Sequence, residues 1–105
     1  MTSSPPYDRL VALGAPSLPL GLSYRIKWSY EAGGVLVIEL REARSLFGTD
    51  RLARRFVDTR DLAADAVPAA VAAACRECVE EQQARTEREI RASSLLGDAG
   101  PGVAA

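Results

Sequence analysis

The chain has 105 residues, of which 13 are basic and 14 acidic, and its formal net charge is −1. A chain of this length with 48% hydrophobic residues forms one globular core and has no room for a second domain. The near-neutral charge excludes a general electrostatic attraction for nucleic acid or acidic membranes, so any site for a polyanion has to be local.

The beginning of the sequence does not resemble a secretory signal. Residues 1–8 contain no cation ahead of an apolar segment, and Pro16 and Pro19 interrupt the only apolar run, residues 10–22. No window approaches the roughly 20 apolar residues that a membrane helix needs. We therefore expect a cytoplasmic protein without membrane contact, whose cysteines are reduced thiols.

Residues 1–22 are predicted to form a short helix followed by an extended, proline-rich arm. Ser4 can cap the helix, Pro5 fits its first turn and Gly14 can end it. Alternate positions of the arm carry leucine side chains, namely Leu18, Leu20 and Leu22. We expect this arm either to cover the core of its own domain or to reach onto a neighbouring subunit.

Two strands are predicted from apolar residues that alternate with polar ones, over residues 23–30 and 35–42. A three-residue turn, residues 32–34, gives a register in which apolar residues face one another and Gly34 takes the left-handed conformation. The predicted pairs are Tyr30 with Leu36, Trp28 with Ile38, Ile26 with Leu40 and, on the other face, Lys27 with Glu39. In this register Trp28 is expected to be a core residue beneath a helix.

Residues 51–59 fit two structures. Their apolar residues could share one face of a helix, and their arginines would suit a short edge strand, where charge deters edge-to-edge pairing. The strand is favoured because two strands alone make a marginal sheet and the long helix needs a platform.

The longest predicted element is a helix over residues 61–91. Its first half is rich in alanine, the best helix former, and carries an apolar stripe. The stripe consists of Val67, Val71, Ala74 and Cys78. Because Pro68 is tolerated only in a first turn, the helix either begins near Asp65 or follows a one-turn helix over residues 61–66. In its second half, opposite charges recur four residues apart and stabilise the helix in water.

These elements predict an α+β fold: a three-stranded antiparallel meander with the long C-terminal helix packed on one face, a short N-terminal helix and a proline-rich arm. Residues 1–22 are the helix and arm, residues 23–82 the βββα core, and residues 83–105 a solvated helix extension and flexible tail. Over about residues 5–80 the predicted order is similar to that of double-stranded-RNA-binding domains. Those domains contact phosphates through a lysine cluster where the last helix begins, whereas residues 58–65 here (DTRDLAAD) carry three carboxylates. No RNA-binding residue is therefore transferred.

Cys75 and Cys78 form a CxxC pair, the only motif in the sequence with a named chemistry. A redox CxxC needs its first thiolate at a helix N-terminus. A zinc site needs further Cys or His ligands, and the sequence has none. The pair lies two or more turns inside a predicted helix, so ordinary packing is expected. The sequence also lacks a His general base and a Gly-rich phosphate loop, and we predict no catalytic residue, metal site or cofactor.

These features favour a small, non-catalytic protein-protein interaction or structural subunit of a larger bacterial or phage assembly, either as an oligomer or with a protein partner. The expected partner-binding residues are Leu18, Leu20, Leu22, Ile90, Leu95 and Leu96. A first alternative is a nucleic-acid-binding module, although the overall charge does not make nucleic acid the expected partner. It would use an arginine-rich sheet face, with Arg25, Lys27 and Arg41 on the outer side and Arg51, Arg54 and Arg55 at the strand edge. A second alternative is a small redox or other enzyme that uses Cys75 and Cys78.

Overall fold

The computed structural model describes residues 5–44, 47–98 and 100–101. Its elements, in chain order, are helix α1 (Pro5–Ala12), strands β1 (Leu22–Trp28), β2 (Val35–Ala43) and β3 (Thr49–Asp58), a single 3-10 turn (Ala64–Ala66) and helix α2 (Val67–Ser93). The strands form one antiparallel sheet in the order β1-β2-β3. The predicted α+β fold is confirmed, and residues 51–59 are strand rather than helix up to Asp58. The proposed cap at Ser4 and the end of the predicted tail, residues 102–105, lie outside the described residues.

The core lies between α2 and the strands β2 and β3. Three alternate residues of the central strand point towards the helix and are almost fully buried, at 9%, 0% and 1% exposure; they are Leu36, Ile38 and Leu40. The buried face of α2 opposite them consists of small side chains, Val71, Ala72, Ala74, Cys75 and Cys78. Small residues let the helix axis approach the sheet closely, so the apolar area of both surfaces is removed from water. The helix-covered side of the sheet is called the inner face, and the opposite side the outer face.

The register of β1 and β2 differs from the predicted one by two residues. Trp28 pairs with Leu36, Ile26 with Ile38 and Tyr24 with Leu40. The connecting loop runs from residue 29 to residue 34, and the Ser29 amide donates a hydrogen bond to the Val35 carbonyl at 2.9 Å. The Ser29 hydroxyl also accepts bonds from two loop amides, at 3.3 Å each, and so satisfies donors that a longer loop leaves unpaired. A shift of two keeps every side chain on its predicted face. Gly34 has φ +76°, as predicted.

Trp28 is 61% exposed, and the prediction that it is a core residue is wrong. Its side chain is on the inner face of the strand, but α2 begins only at Val67. The first turn of α2 and Ile26 line the same cleft, and Ile26 is already 37% exposed. Trp28 lies two residues beyond Ile26 on the same face of β1, and it is therefore outside the region that the helix covers.

A β-bulge interrupts the pairing of β2 with β3. Leu40 pairs with Ala53 and Arg41 with Arg51, so Leu52 has no partner on β2. The extra residue lets Leu52 and Ala53 both contact the core. The freed Leu52 carbonyl accepts a hydrogen bond from the Arg85 guanidinium of α2 at 2.8 Å.

Two tyrosines hold the N-terminal arm on the core of its own domain. The Tyr24 hydroxyl donates to the Pro16 carbonyl at 2.6 Å, and the Tyr7 hydroxyl accepts from the Leu18 amide at 2.8 Å. The two rings stack with their centroids 6.3 Å apart. Burial raises the pKa of Tyr24, so its hydroxyl keeps the donated proton even in alkaline solution. Leu18 and Leu22 pack against the buried core, as the first of the two readings of the arm expects.

Helix α2 starts at Val67 with Pro68 in its first turn, as the sequence predicts, and the preceding 3-10 turn occupies part of the predicted one-turn helix. Its 27 residues are about 40 Å long at 1.5 Å per residue. The sheet covers only part of this length. The radius of gyration is consequently 18.5 Å, against roughly 13 Å for a compact chain of this size, and the longest dimension is 66 Å.

Candidate functional site

The contact between α2 and the sheet ends at Arg85, whose guanidinium binds the Leu52 carbonyl. Every described residue from 86 to 98 is exposed. We call residues 86–98 the C-terminal extension. It carries three apolar side chains with exposures of 65%, 79% and 81%, namely Ile90, Leu95 and Leu96. They are half of the predicted partner-binding set, and they lie beyond the last contact with the domain.

Local interactions keep the extension helical. Arg91 bridges to Glu87 one turn earlier at 2.7 Å, a pair worth about 0.3–0.5 kcal/mol in this exposed setting. The amides of Leu95 and Leu96 bond to carbonyls three residues earlier, which holds both leucines in a turn directly after the helix. Gly97, at φ +117°, then redirects the chain. The apolar side chains are thus concentrated at the tip of the helix.

The other predicted partner-binding residues are in the arm, and they do not share one environment. Leu18 and Leu22 are half-buried on their own core, whereas Leu20 is fully exposed. Leu22 pairs with Glu42, at the end of the sheet where Arg85 meets Leu52. Leu20 therefore lies at the same end of the sheet from which the C-terminal extension leaves.

The outer face of the sheet is rich in cations and is not covered by either helix. Its side chains, by register, include Arg25, Lys27, Val37, Glu39, Arg41, Arg51, Arg54 and Phe56. Glu39 is only 1% exposed because it is enclosed by arginines: Arg41 Nη1 lies 2.6 Å from one carboxylate oxygen and Arg54 Nη2 lies 3.2 Å from the other. Burial raises the pKa of Glu39. The hydrogen bond from Arg41 and the charges of Lys27, Arg41 and Arg54 lower this pKa by a larger amount, so the net shift is downward.

One arginine of the predicted basic surface lies elsewhere. Arg55 pairs with Ile38 and is on the inner face, where it binds Glu81 at 2.8 Å and Glu77 at 3.4 Å. Neighbouring residues of a strand point to opposite faces, so Arg54 and Arg55 cannot both contribute to one surface. Arg54 remains on the outer face, with its guanidinium carbon 5.9 Å from the centre of the Phe56 ring.

Cys75 and Cys78 are both free thiols with 0% exposure. Burial, with a smaller effect from Cys78, raises the pKa of Cys75 to about 12, and burial also raises the pKa of Cys78. Cys78 Sγ lies 3.8 Å from the Ile38 carbonyl, within the core. Both thiols are protonated at neutral pH and shielded from solvent, which agrees with packing as their role. Within residues 5–44, 47–98 and 100–101, no three His, Cys, Asp or Glu side chains are grouped so as to hold a metal ion.

An apolar cleft lies between α1, β1 and the start of α2. Its volume is about 440 Å³, and it is lined by Pro6, Arg9, Leu10, Ile26, Pro68 and Val71. No sequence motif marks it, because its walls come from three separate elements.

Comparisons of the chain with protein-family models, with curated proteins and with solved structures found no match. In the part of the chain that the structure describes, no helix combines the length and the apolar character needed to cross a membrane.

Proposed function

We propose that this protein is a non-catalytic interaction subunit of a larger assembly and that it binds a protein partner through its C-terminal extension. The observation that carries the proposal is the exposure of Ile90, Leu95 and Leu96, at 65–81%, on a helix tip beyond the last contact with the domain. The partner is either a second copy of the chain or a different subunit.

The energetics of the extension support this proposal. A helical segment of this length without tertiary contacts is marginal in water, and its exposed ion pairs offset little of the ordering cost. Full burial of an Ile or Leu side chain contributes about 1.5–3 kcal/mol, so the three together offer roughly 5–9 kcal/mol before the costs of association. A groove on the partner that accepts one helix end is the recognition mode that fits them.

The arm adds a second exposed apolar group at the same end of the sheet. Leu20 is fully exposed on the turn that precedes β1. A partner seated against the extension close to the sheet could therefore also contact Leu20. Leu18 and Leu22 would contribute indirectly, by fixing the arm on its own core.

The buried cysteines weigh against the redox alternative. Thiol exchange needs an accessible thiolate, and burial raises the pKa of both Cys75 and Cys78. The non-catalytic assignment remains part of the proposal.

The test combines a truncation with point variants. Deletion of residues 86–105 retains Arg85 and its contact with Leu52, so far-UV circular dichroism should still report a folded domain. Light scattering after size exclusion should then show loss of the oligomer, or co-purification should show loss of the partner. The triple variant Ile90→Ser, Leu95→Ser, Leu96→Ser should behave in the same way.

Phe47→Ser is the matched control, because Phe47 is also 81% exposed but lies in the loop between β2 and β3. It should leave mass and partner recovery unchanged. If the wild-type and truncated chains have the same oligomeric state in solution and recover the same proteins, the extension is not a partner surface and the proposal fails.

A further inference from the structure

The exposed charge of the outer face is positive. Of its two carboxylates, Glu39 is buried beneath Arg41 and Arg54, and Asp58 is engaged by Arg60 through contacts of 2.9 and 2.7 Å. The remaining cations of this face are Arg25, Lys27 and Arg51, and all three are exposed. No carboxylate of the described residues lies within 4.0 Å of their charged nitrogens. This is a local basic surface on a chain whose net charge is −1.

One cross-strand pair joins two arginines, of which only Arg41 has a carboxylate partner. Arg41 and Arg51 stand directly opposite each other on β2 and β3. Like charges in that position destabilise a sheet. The buried Glu39 carboxylate neutralises Arg41, but Arg51, the cross-strand neighbour of Arg41, is exposed. An external anion bound here would relieve the repulsion.

Aromatic rings adjoin the cations. Phe56 is 62% exposed and lies in the same cross-strand row as Lys27. At the end of this row a recess of about 300 Å³ is lined by the aromatic residues Trp28, Tyr30 and Phe56. Its charged lining residues are the cations Lys27 and Arg54 and one carboxylate, Glu31. Exposed rings beside cations are the components with which proteins bind single strands, where rings stack on bases and cations contact phosphates.

We propose that the outer face binds single-stranded nucleic acid, with the phosphate backbone on Arg25, Lys27 and Arg51 and a base in the recess against Phe56. A duplex is a poorer occupant, because its bases are already stacked on one another. The helix surface of a second copy is also a poorer one, since residues 80–93 carry four carboxylates and three guanidinium groups and have little charge to offer a basic face. This binding is separate from the partner surface of the extension.

The number of free cations sets the expected salt dependence. Three phosphate contacts on a single strand give a slope of about −2 for the logarithm of the binding constant against the logarithm of salt concentration. Doubling the salt should therefore weaken binding roughly fourfold. Glu39→Gln should free Arg41 and Arg54, steepen the slope and tighten binding severalfold at low salt.

Binding is measured by fluorescence anisotropy of a labelled twelve-nucleotide oligo-dT or oligo-U at low salt, and in parallel by quenching of Trp28, the only tryptophan of the chain. Arg25→Glu with Lys27→Glu should weaken binding at least tenfold, and Phe56→Ala roughly five- to a hundredfold. The matched control, Arg88→Glu with Arg91→Glu, makes the same charge change on the extension and should lose less than twofold. Circular dichroism verifies the fold of each variant.

Several outcomes would overturn the inference: absence of binding at low salt, an equal loss for the control variant, or equal affinity for a poly-glutamate peptide, which would indicate a general anion surface. Tighter binding of a duplex would do so as well. Deletion of residues 86–105 should leave oligonucleotide affinity unchanged. Failure of this inference is thus distinguishable from failure of the proposed partner surface.

Discussion

Glu39 should be one of the most stabilising charged residues of the domain, and Glu39→Gln tests this. Its side chain is 2% exposed, with Arg41 Nη1 at 2.6 Å and Arg54 Nη2 at 3.2 Å. Breaking a fully buried pair costs about 3–5 kcal/mol, and an exposed pair contributes about 0–1 kcal/mol. The two arginine side chains are 17% and 40% exposed and can partly regain water. Since Gln also keeps the volume and one acceptor, we expect a loss of about 2 kcal/mol, or a fall in Tm of about 10 °C.

The effect of Glu39→Gln should depend on pH in a defined direction. The folded-state pKa of Glu39 lies below its unfolded value, because the opposing effect of burial is exceeded by the Arg41 hydrogen bond and by the nearby cations. Its contribution is therefore complete above the unfolded pKa of about 4.3 and is lost as the pH falls through the folded pKa. Thermal unfolding followed by circular dichroism should give a constant Tm difference near neutrality and a smaller one at about pH 3.

Glu42→Gln, an exposed position three residues on, is the control and should shift Tm little at neutral pH. Equal Tm values for the wild type and Glu39→Gln at neutral pH would refute the reasoning. So would a Tm difference that persists unchanged in acid.

Three further outcomes are expected. Cys75 and Cys78 should not react with dithiobis-nitrobenzoate in the native protein, since both have 0% exposure and raised pKa values, and both should react in urea; one fast native thiol would contradict their burial. Trp28→Ala should lower the free energy of unfolding in urea by about 1 kcal/mol or less, because the residue is 61% exposed, whereas a loss of about 3 kcal/mol or more would place it in the core. Gly34→Ala should lower the free energy of unfolding by about 1–2 kcal/mol because of its φ of +76°, and further because the new Cβ would lie 2.6 Å from Arg60 Cγ. Adding Arg60→Ala should recover only the loss caused by this close contact. An unchanged urea midpoint for Gly34→Ala would contradict the strain.

The faces of the strands were predictable from the sequence, but their register was not. Period-two alternation assigns each side chain to a face, and a shift of two residues preserves that assignment. The register depends on where the loop closes, and Ser29 closes it through side-chain hydrogen bonds that no apolar pattern indicates. The exposure of Trp28 follows from the position of the first turn of α2 above the sheet. The connection over residues 59–66 sets that position, and no periodicity reveals it.

The candidate surfaces were also predictable from the sequence only in part. Exposed apolar residues at the end of α2 could be predicted from length alone, because a helix of this length outruns a small sheet. The attachment of the arm could not, since it depends on two tyrosine hydroxyls that meet the chain 8 and 11 residues away. Arg54 and Arg55 were predicted only as strand-edge arginines, and alternation places just one of these two neighbours on the outer face. The enclosure of Glu39 requires the geometry of three strands at once.

The unbroken backbone of α2 fixes the direction in which its tip presents Ile90. Ile90 follows Ala72 by 18 residues, about five turns, so both side chains point along the same line on the helix. One residue inserted after Arg85 would rotate Ile90 by about 100° and advance it only about 1.5 Å. Seven inserted residues would lengthen the rod by about 10 Å but rotate Ile90 by only about 20°. Variants of this chain that conserve a partner should therefore tolerate length changes between residues 85 and 90 in steps close to whole helical turns.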